Sequence, residues 1–290
     1  MDYYVKPSSD FFIKYLLGSE KNKDLLLSFI NAVLLDSDFK KIINVEIKNP
    51  FNIKEFPADK ETILDIKAID ETGRQYDIEV QSTGNKYFVK RSLYYWAKLY
   101  SSQLLESHTY PNLKPTICIN VLDFTLFNNL NELHTCFMLS EKDNPEYILT
   151  DHLLIHFLEL PKINEKIKKN KLYNWLLFLI NEGKEDNIME ILIKDDLDIA
   201  KAHEEYTRFT RDEELRDLYE ARQKYLRDYQ TDIELAEQKG IDEGRKEGKK
   251  EGKKEGKMED AKAMLKKGLD IEVIADITKL PKKDIEALQE

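Results

Sequence analysis

The stretch ILDIKAIDETGRQYDIEVQ, residues 63–81, decides how the rest of the chain reads. Two short runs in it, ILDIKAID and YDIEVQ, are rich in Ile and Val and alternate with polar residues, the period of a strand. Between them Asp70-Glu71-Thr72-Gly73-Arg74 is a turn signal, so the pair reads as a hairpin. On a two-residue period Asp77, Glu79 and Gln81 share one face of the second strand. A hairpin turning near residues 71–74 brings Asp65 within reach of Glu79. Two carboxylates held together repel unless something positive lies between them, and a divalent cation answers that need. Mg²⁺ takes one or two carboxylates and otherwise keeps water and phosphate oxygens; so held, it activates water and stabilises a phosphodiester transition state. The plainer alternative is two solvent-facing acids on an antiparallel hairpin, in a chain that is 34% charged.

Working outward, residues 10–35 carry apolar side chains at helical spacing (Phe12, Ile13, Leu16, Leu17, then Leu25, Leu26, Phe29, Ile30, Val33, Leu34), with Gly18 and Asn22 dividing them into two helices. Ser8 or Ser9 caps the first. IINVEIKNP, from residue 42, reads as a strand ahead of the hairpin. Residues 86–106 return to helix with a stripe of Phe88, Leu93, Trp96, Leu99, Tyr100 and Leu104. PTICINVLDF (115–124) is a continuous apolar run and so a buried strand, and residues 133–139 and 152–160 are further strands. The order is that of a mixed α/β domain over residues 1–160. After Pro161, residues 161–238 read as helical throughout.

Residues 239–259 repeat with period four: Gly240, Gly244, Gly248, Gly252 and Gly256 form one row, with rows of Glu and Lys beside it. Glu247 meets Lys250 at i,i+3, but each Gly costs a helix about 1 kcal/mol relative to Ala, so the segment is expected to be a linker or a marginal helix. Residues 260–290 read as three short helices in a small module, a helix-turn-helix or a docking appendage.

Taken together these segments resemble the recombination-promoting nuclease/putative transposase family of the PD-(D/E)xK nuclease superfamily. DFFIKYLLG (10–18) resembles that family's opening helix and LLLSFINAVL (25–34) its second. ILDIKA followed by YDIEVQ resembles its catalytic hairpin. The run from Arg91 through Tyr94, Tyr95, Tyr100 and Gln103 to Tyr110 resembles the following helix, and PTICINVLDF and HFLELPKI resemble later strands. The Gly/Lys/Glu repeat is frequent there too. The resemblance implies a restriction-endonuclease-like mixed sheet flanked by helices, followed by an all-helical C-terminal region. It implies a metal-dependent DNA endonuclease, tied to recombination or mobile elements, in which Asp65 and Glu79 ligate Mg²⁺ (or Mn²⁺) with the Val80 carbonyl as a further ligand. Gln81 occupies the place of the usual Lys. Leu64 stands where a Pro usually precedes the Asp, a trivial loss; Gln81 is the weightier departure, because Gln can hydrogen-bond but carries no charge. The rival reading is a weak or inactive nuclease-like module that binds DNA or protein through its helical C-terminal half. Asp10 is a candidate to assist the metal or, more plainly, a charge that complements a helix dipole. Lys86, Lys90, Arg91 and Lys98 are candidates to face DNA phosphate, or they are scattered solvating charges. A homodimer is among the partners considered.

Composition sets the limits. The chain has 290 residues, 41% hydrophobic, with a net charge of −10, so it builds a core and does not hold nucleic acid through bulk charge. The charge is uneven: residues 1–160 sum to −6 and residues 239–268 to +4. Cys118 and Cys136 lie in apolar runs and read as buried reduced thiols of a cytoplasmic protein. MDYYVKPSSDFF has no signal-peptide pattern, and no apolar run is long enough to span a bilayer. His152 and His156 have zinc-like i,i+4 spacing, but in a strand-like run with no completing ligand they read as structural; His108, His134 and His203 carry no signal. P-loop, strand-linked GxGxxG and GxSxG patterns are missing, which disfavours nucleotide-driven and serine-hydrolase chemistry.

Overall fold

The computed structural model describes residues 3–51, 65–84, 87–104, 109–164, 167, 169–184 and 187–288; Leu64, Lys86 and His108 lie outside them. The chain divides into two compact units, residues 1–223 and 224–290.

The first unit opens with α1 (Asp10–Gly18), a turn of 3-10 helix at Glu20–Asn22, and α2 (Lys23–Asp36). Ser9 caps α1 by accepting from the Phe12 amide at 3.3 Å. Eight of the nine α1 residues are buried. A helix apolar nearly all round belongs inside a core.

Six strands make one sheet: β1 (Val45–Ile47), β2 (Ile66–Asp70), β3 (Gln75–Gln81), β4 (Thr116–Leu122), β5 (His134–Ser140) and β6 (Ile148–Glu159), in the order β1-β2-β3-β4-β6-β5. The first three are an antiparallel meander. β4 then runs parallel to β3, and β6 parallel to β4, with β5 antiparallel on the edge. The helix α3 (Phe88–Ser101) makes the crossover from β3 to β4. This is a restriction-endonuclease-like mixed sheet flanked by helices.

The hairpin turn is built on Asp70. Its Oδ1 accepts from the Thr72 and Arg74 amides (2.8 and 3.1 Å), while Oδ2 accepts from Arg74 Nε (2.7 Å) and the Tyr76 hydroxyl (2.9 Å). Burial alone would raise this carboxyl's pKa, but the Thr72 and Tyr76 hydrogen bonds and the Arg74 charge outweigh it and hold it below its ordinary value. Gly73 supplies the left-handed backbone, φ +89°. The turn sets the register that pairs Ile66 with Ile78 and Lys67 with Asp77.

The pleat sorts side chains cleanly. Ile66, Ala68, Tyr76, Ile78, Val80, Ile117, Ile119 and Val121 point into the main core with α1 and α2. Cys118, Leu122, Leu153, Ile155 and Phe157 point to the other face, with Phe88 of α3. The change of composition at Pro161 does not mark a core boundary. The helices α4 (Lys171–Asn181), α5 (Asn187–Asp195) and α6 (Leu197–Arg211) contribute Trp175, Phe178, Met189 and Phe209 to the same core as the strands. Each such side chain, fully buried, stabilises by about 1.5–3 kcal/mol, which local sequence character cannot reveal. β6 also begins earlier than its apolar run, at Ile148, because its first residues pair with β5.

α7 (Glu213–Lys266) begins in the first unit and ends in the second, and the Gly repeat lies within it as helix. In the second unit the end of α7 joins α8 (Ile271–Thr278) and α9 (Lys282–Glu286) around Ala261, Ile274, Leu280 and Ile285. Among the described residues no helix is long and apolar enough to cross a membrane.

Candidate active site

The acidic side chains follow from strand register. On β3 the even-numbered residues Tyr76, Ile78 and Val80 face the main core, so Asp77, Glu79 and Gln81 face the side that carries α3. Asp65 immediately precedes β2, and Lys67 lies directly across from Asp77. Asp65, Lys67, Asp77 and Glu79 line a cleft of about 250 Å³, closed on the other side by Tyr95, Lys98, Leu99 and Ser102. The structure therefore brings Asp65 and Glu79 together, and adds Asp77 and Lys67.

The local electrostatics are those of crowded carboxylates. Burial pushes the Asp77 pKa up to about 7, helped by the Asp65 and Glu79 charges and by a side-chain hydrogen bond with Asp65. Glu79 is also raised by burial, an effect that Arg91 opposes. Asp77 Oδ1 and Glu79 Oε2 are buried without a hydrogen-bond partner, as are Nε and Nη2 of Arg91. Orphaned polar atoms of this kind are costly unless a ligand or water completes them.

Asp65 is held from behind. Lys14 of α1, almost fully buried, donates from Nζ to the carbonyl oxygens of Asp65 (2.7 Å) and Asn49 (2.6 Å). Asn49 Nδ2 donates to the Asp65 carbonyl at 3.1 Å, and Asn49 Oδ1 accepts from the Lys67 amide at 2.7 Å. Burial lowers the Lys14 pKa to about 8, and Asp65 opposes the shift. In front, Lys67 Nζ lies 3.1 Å from Asp65 Oδ2. Burial would lower the Lys67 pKa, but the Asp65 charge and hydrogen bond overturn this and leave it raised.

The other singled-out residues fall as follows. Gln81 is half-buried at the end of β3, outside the residues that line the cleft. Val80 turns its side chain into the main core. Asp10 does not line the cleft: its Oδ2 accepts from Arg222 Nη2 (2.7 Å) and Nε (3.1 Å), and its Oδ1 accepts from the Phe11 amide. Its charge pairs with Arg222 and sits in the first turn of α1. Arg91 turns inward, with Nη2 3.6 Å from Glu79 Oε2 and the guanidinium over the Phe88 ring. Lys90 is exposed beside Tyr87, and Lys98 lines the cleft.

His134, His152 and His156 are tied into the fold by their ring nitrogens. His152 Nδ1 meets the Tyr100 hydroxyl at 2.9 Å, tying β6 to α3. His156 is fully buried, and its Nδ1 lies 2.9 Å from His134 Nε2, whose ring reaches Asp36 at 2.6 Å. Burial first, then the His134 charge, push the His156 pKa down to about 3.

Lys14, Asn49, Lys67 and Asp77 were not assigned to the site by sequence reasoning. Asp77 and Lys67 had a signal, since strand period and hairpin register place both on the Glu79 face. Lys14 and Asn49 had none, because their contacts to Asp65 span 51 and 16 residues of chain.

Among the described residues no group of three or more His, Cys, Asp or Glu side chains is gathered closely enough to hold a metal ion. A cation of the Mg²⁺ type needs only one or two carboxylates, with water and phosphate completing its shell. The orphaned oxygens of Asp77 and Glu79, beside Asp65, fit that lighter requirement. Compared with known proteins, residues 7–236 match the family model of the PD-(D/E)XK nuclease family transposases. No match was found among curated proteins or among solved structures.

Proposed function

Since the chain belongs to the PD-(D/E)XK nuclease family transposases, we propose that it is a divalent-metal-dependent endonuclease that hydrolyses DNA phosphodiester bonds in the service of recombination or a mobile element. A fold alone does not give an activity. The observation that carries the reading is the meeting of Asp65, Asp77 and Glu79 in one cleft, where a buried oxygen of Asp77 and one of Glu79 have no hydrogen bond.

Asp65 and Glu79, with the Val80 carbonyl, would hold Mg²⁺ or Mn²⁺, and Asp77 stands beside them. Bound there, such an ion supplies an acidified water and neutralises charge on the phosphate. The protein's own residues do the rest. Lys14 and Asn49 fix the Asp65 backbone. Arg91 faces Glu79 and opposes the upward push of burial on its carboxyl's pKa. Gln81, at the end of β3, offers hydrogen bonds but no charge, and Lys98 and Lys90 offer charge to the DNA backbone. The free thiols Cys118 and Cys136 agree with a cytoplasmic setting, and a homodimer would suit cleavage of both strands.

A plasmid-nicking assay tests this. The wild type should cut with Mg²⁺ or Mn²⁺ and stop with EDTA, and Asp65→Ala should lose at least about a hundredfold in rate. Cleavage that survives EDTA, or an Asp65→Ala variant that cuts like wild type, sinks the proposal. The Lys67–Asp65 ion pair and the neutral Gln81 favour a second reading, a nuclease-like module that binds DNA without cutting it. It predicts a DNA mobility shift with no nicking in the same tubes.

A further inference from the structure

The acidic cleft contains a cation of its own. Lys67 projects from β2 on the face shared by Asp65, Asp77 and Glu79, directly across from Asp77. Its Nζ pairs with Asp65, whose side chain is 11% exposed, while its own side chain is 46% exposed. The backbone beneath it is fixed on both sides: its amide donates to Asn49 Oδ1 at 2.7 Å and its carbonyl accepts from the Lys48 amide at 2.7 Å. A rigid root with a long, half-solvated stem lets the ammonium change partners without moving the strand.

The neighbouring cations are placed differently. Lys14 is spent on two backbone carbonyls. Arg91 stands 3.6 Å from Glu79 and is stacked on Phe88. Lys98 approaches from α3, across the cleft. Among the described residues, Lys67 is the one cation ion-paired with Asp65. Gln81, at the position where the motif would carry a Lys, is neutral and lies outside the cleft lining.

We propose that Lys67 is both the built-in counter-ion that competes with a divalent metal for Asp65 and, once displaced, the positive group that contacts the scissile phosphate in place of Gln81. The proposal rests on the nuclease reading for its second half only. Its physical content is an exchange. With Lys67 on Asp65 the carboxylates are partly neutralised, so metal must displace the ammonium. After displacement the ammonium has lost its Asp65 partner and is free to meet a phosphate oxygen in the cleft, in competition with Asp77 directly across from it. Resting metal affinity is thereby weakened, and metal occupancy is coupled to phosphate binding.

The first arm of the test measures Mn²⁺ binding to the full chain by calorimetry, without DNA, for wild type, Lys67→Met, Lys67→Gln, Lys67→Arg and Asp65→Asn. Removing one positive charge beside the carboxylates should tighten Mn²⁺ binding by about tenfold or more in Lys67→Met and Lys67→Gln. Lys67→Arg keeps the charge and should stay near wild type, and Asp65→Asn should weaken binding. The second arm measures cleavage at saturating Mn²⁺. Lys67→Met should lower kcat by about a hundredfold with KM for DNA changed less than about threefold, and Lys67→Arg should recover part of the loss. A merely structural Lys67 would weaken metal binding and catalysis together. Equal or weaker Mn²⁺ binding by the folded Met and Gln variants, or wild-type cleavage by Lys67→Met, overturns the proposal. A wild type that binds Mn²⁺ but cuts no DNA removes the nuclease reading and the phosphate half, while the binding comparison still decides the competition.

Discussion

Asp77 shows how one buried acid reports on its surroundings. Its folded pKa, about 7, lies above the ordinary value of 3.8 because burial and two neighbouring acids penalise the charged form. The sign follows. The folded chain prefers a proton on Asp77, so this group costs stability when ionised. The cost is largest above pH 7 and shrinks by about 1.4 kcal/mol for each pH unit between 7 and 4. In EDTA, Asp77→Asn should therefore be more stable than wild type at pH 8, by about 4 kcal/mol at most, with the advantage falling steadily toward pH 5. Urea melts across that range check it, and parallel profiles for the two proteins would contradict the assignment. The alternation of YDIEVQ makes the shared face of Asp77 and Glu79 legible in the sequence. The elevated pKa was not legible, since it depends first on burial in a cleft that α3 covers and then on Asp65, just ahead of the other strand of the hairpin.

Among elements, glycine separates two kinds of helix end and helix face. Gly183, at the C-terminal turn after α4, has φ +75°, and a Cβ there would lie 2.1 Å from the Tyr206 hydroxyl. That hydroxyl donates to the Val5 carbonyl (2.9 Å) and accepts from the Val5 amide (3.2 Å). Gly183→Ala should cost about 2–4 kcal/mol, combining left-handed strain with a broken buried hydrogen-bond pair. The five glycines of the α7 repeat, by contrast, have open space where a Cβ would go. Gly248→Ala should add about 1 kcal/mol of local helix stability. Thermal melts for the first and far-UV circular dichroism for the second provide the measurements. If Gly183→Ala melts like wild type, the packing of Tyr206 is misjudged. The period-four repeat and its cost could be read directly from residues 239–259. Nothing local distinguishes Gly183, whose constraint comes from a tyrosine 23 residues away.

At the scale of the molecule, the large core, from Val5 to Tyr219, lies wholly within the first unit. A chain ending at residue 236, where the family match ends, should keep the thermal midpoint of that unit within a few degrees. It should also lose affinity for DNA at low salt and show a shallower salt dependence, because residues 239–268 carry a net +4 in an acidic protein. Fluorescence anisotropy at two salt concentrations, beside a melt of the same sample, tests both. Unchanged DNA affinity would remove the repeat from the interface. The hairpin, the opening helices and the order of later strands were all carried by periodicity, turn residues and one Gly, which are short-range properties. So were the two carboxylates, Asp65 and Glu79, since a hairpin of known turn fixes its own cross-strand neighbours. The sequence alone therefore determined the fold class and the nearness of two acids in the candidate site. Only tertiary structure decided that the helices after Pro161 share the sheet's core, that Asp10 belongs to Arg222, and that Lys14 and Asn49 support Asp65 while Lys67 neutralises it. Most of these contacts join residues far apart in the chain, and even the near pair Lys67–Asp65 takes its meaning from a cleft that α3 completes. Their energies come from burial and geometry that no local pattern encodes.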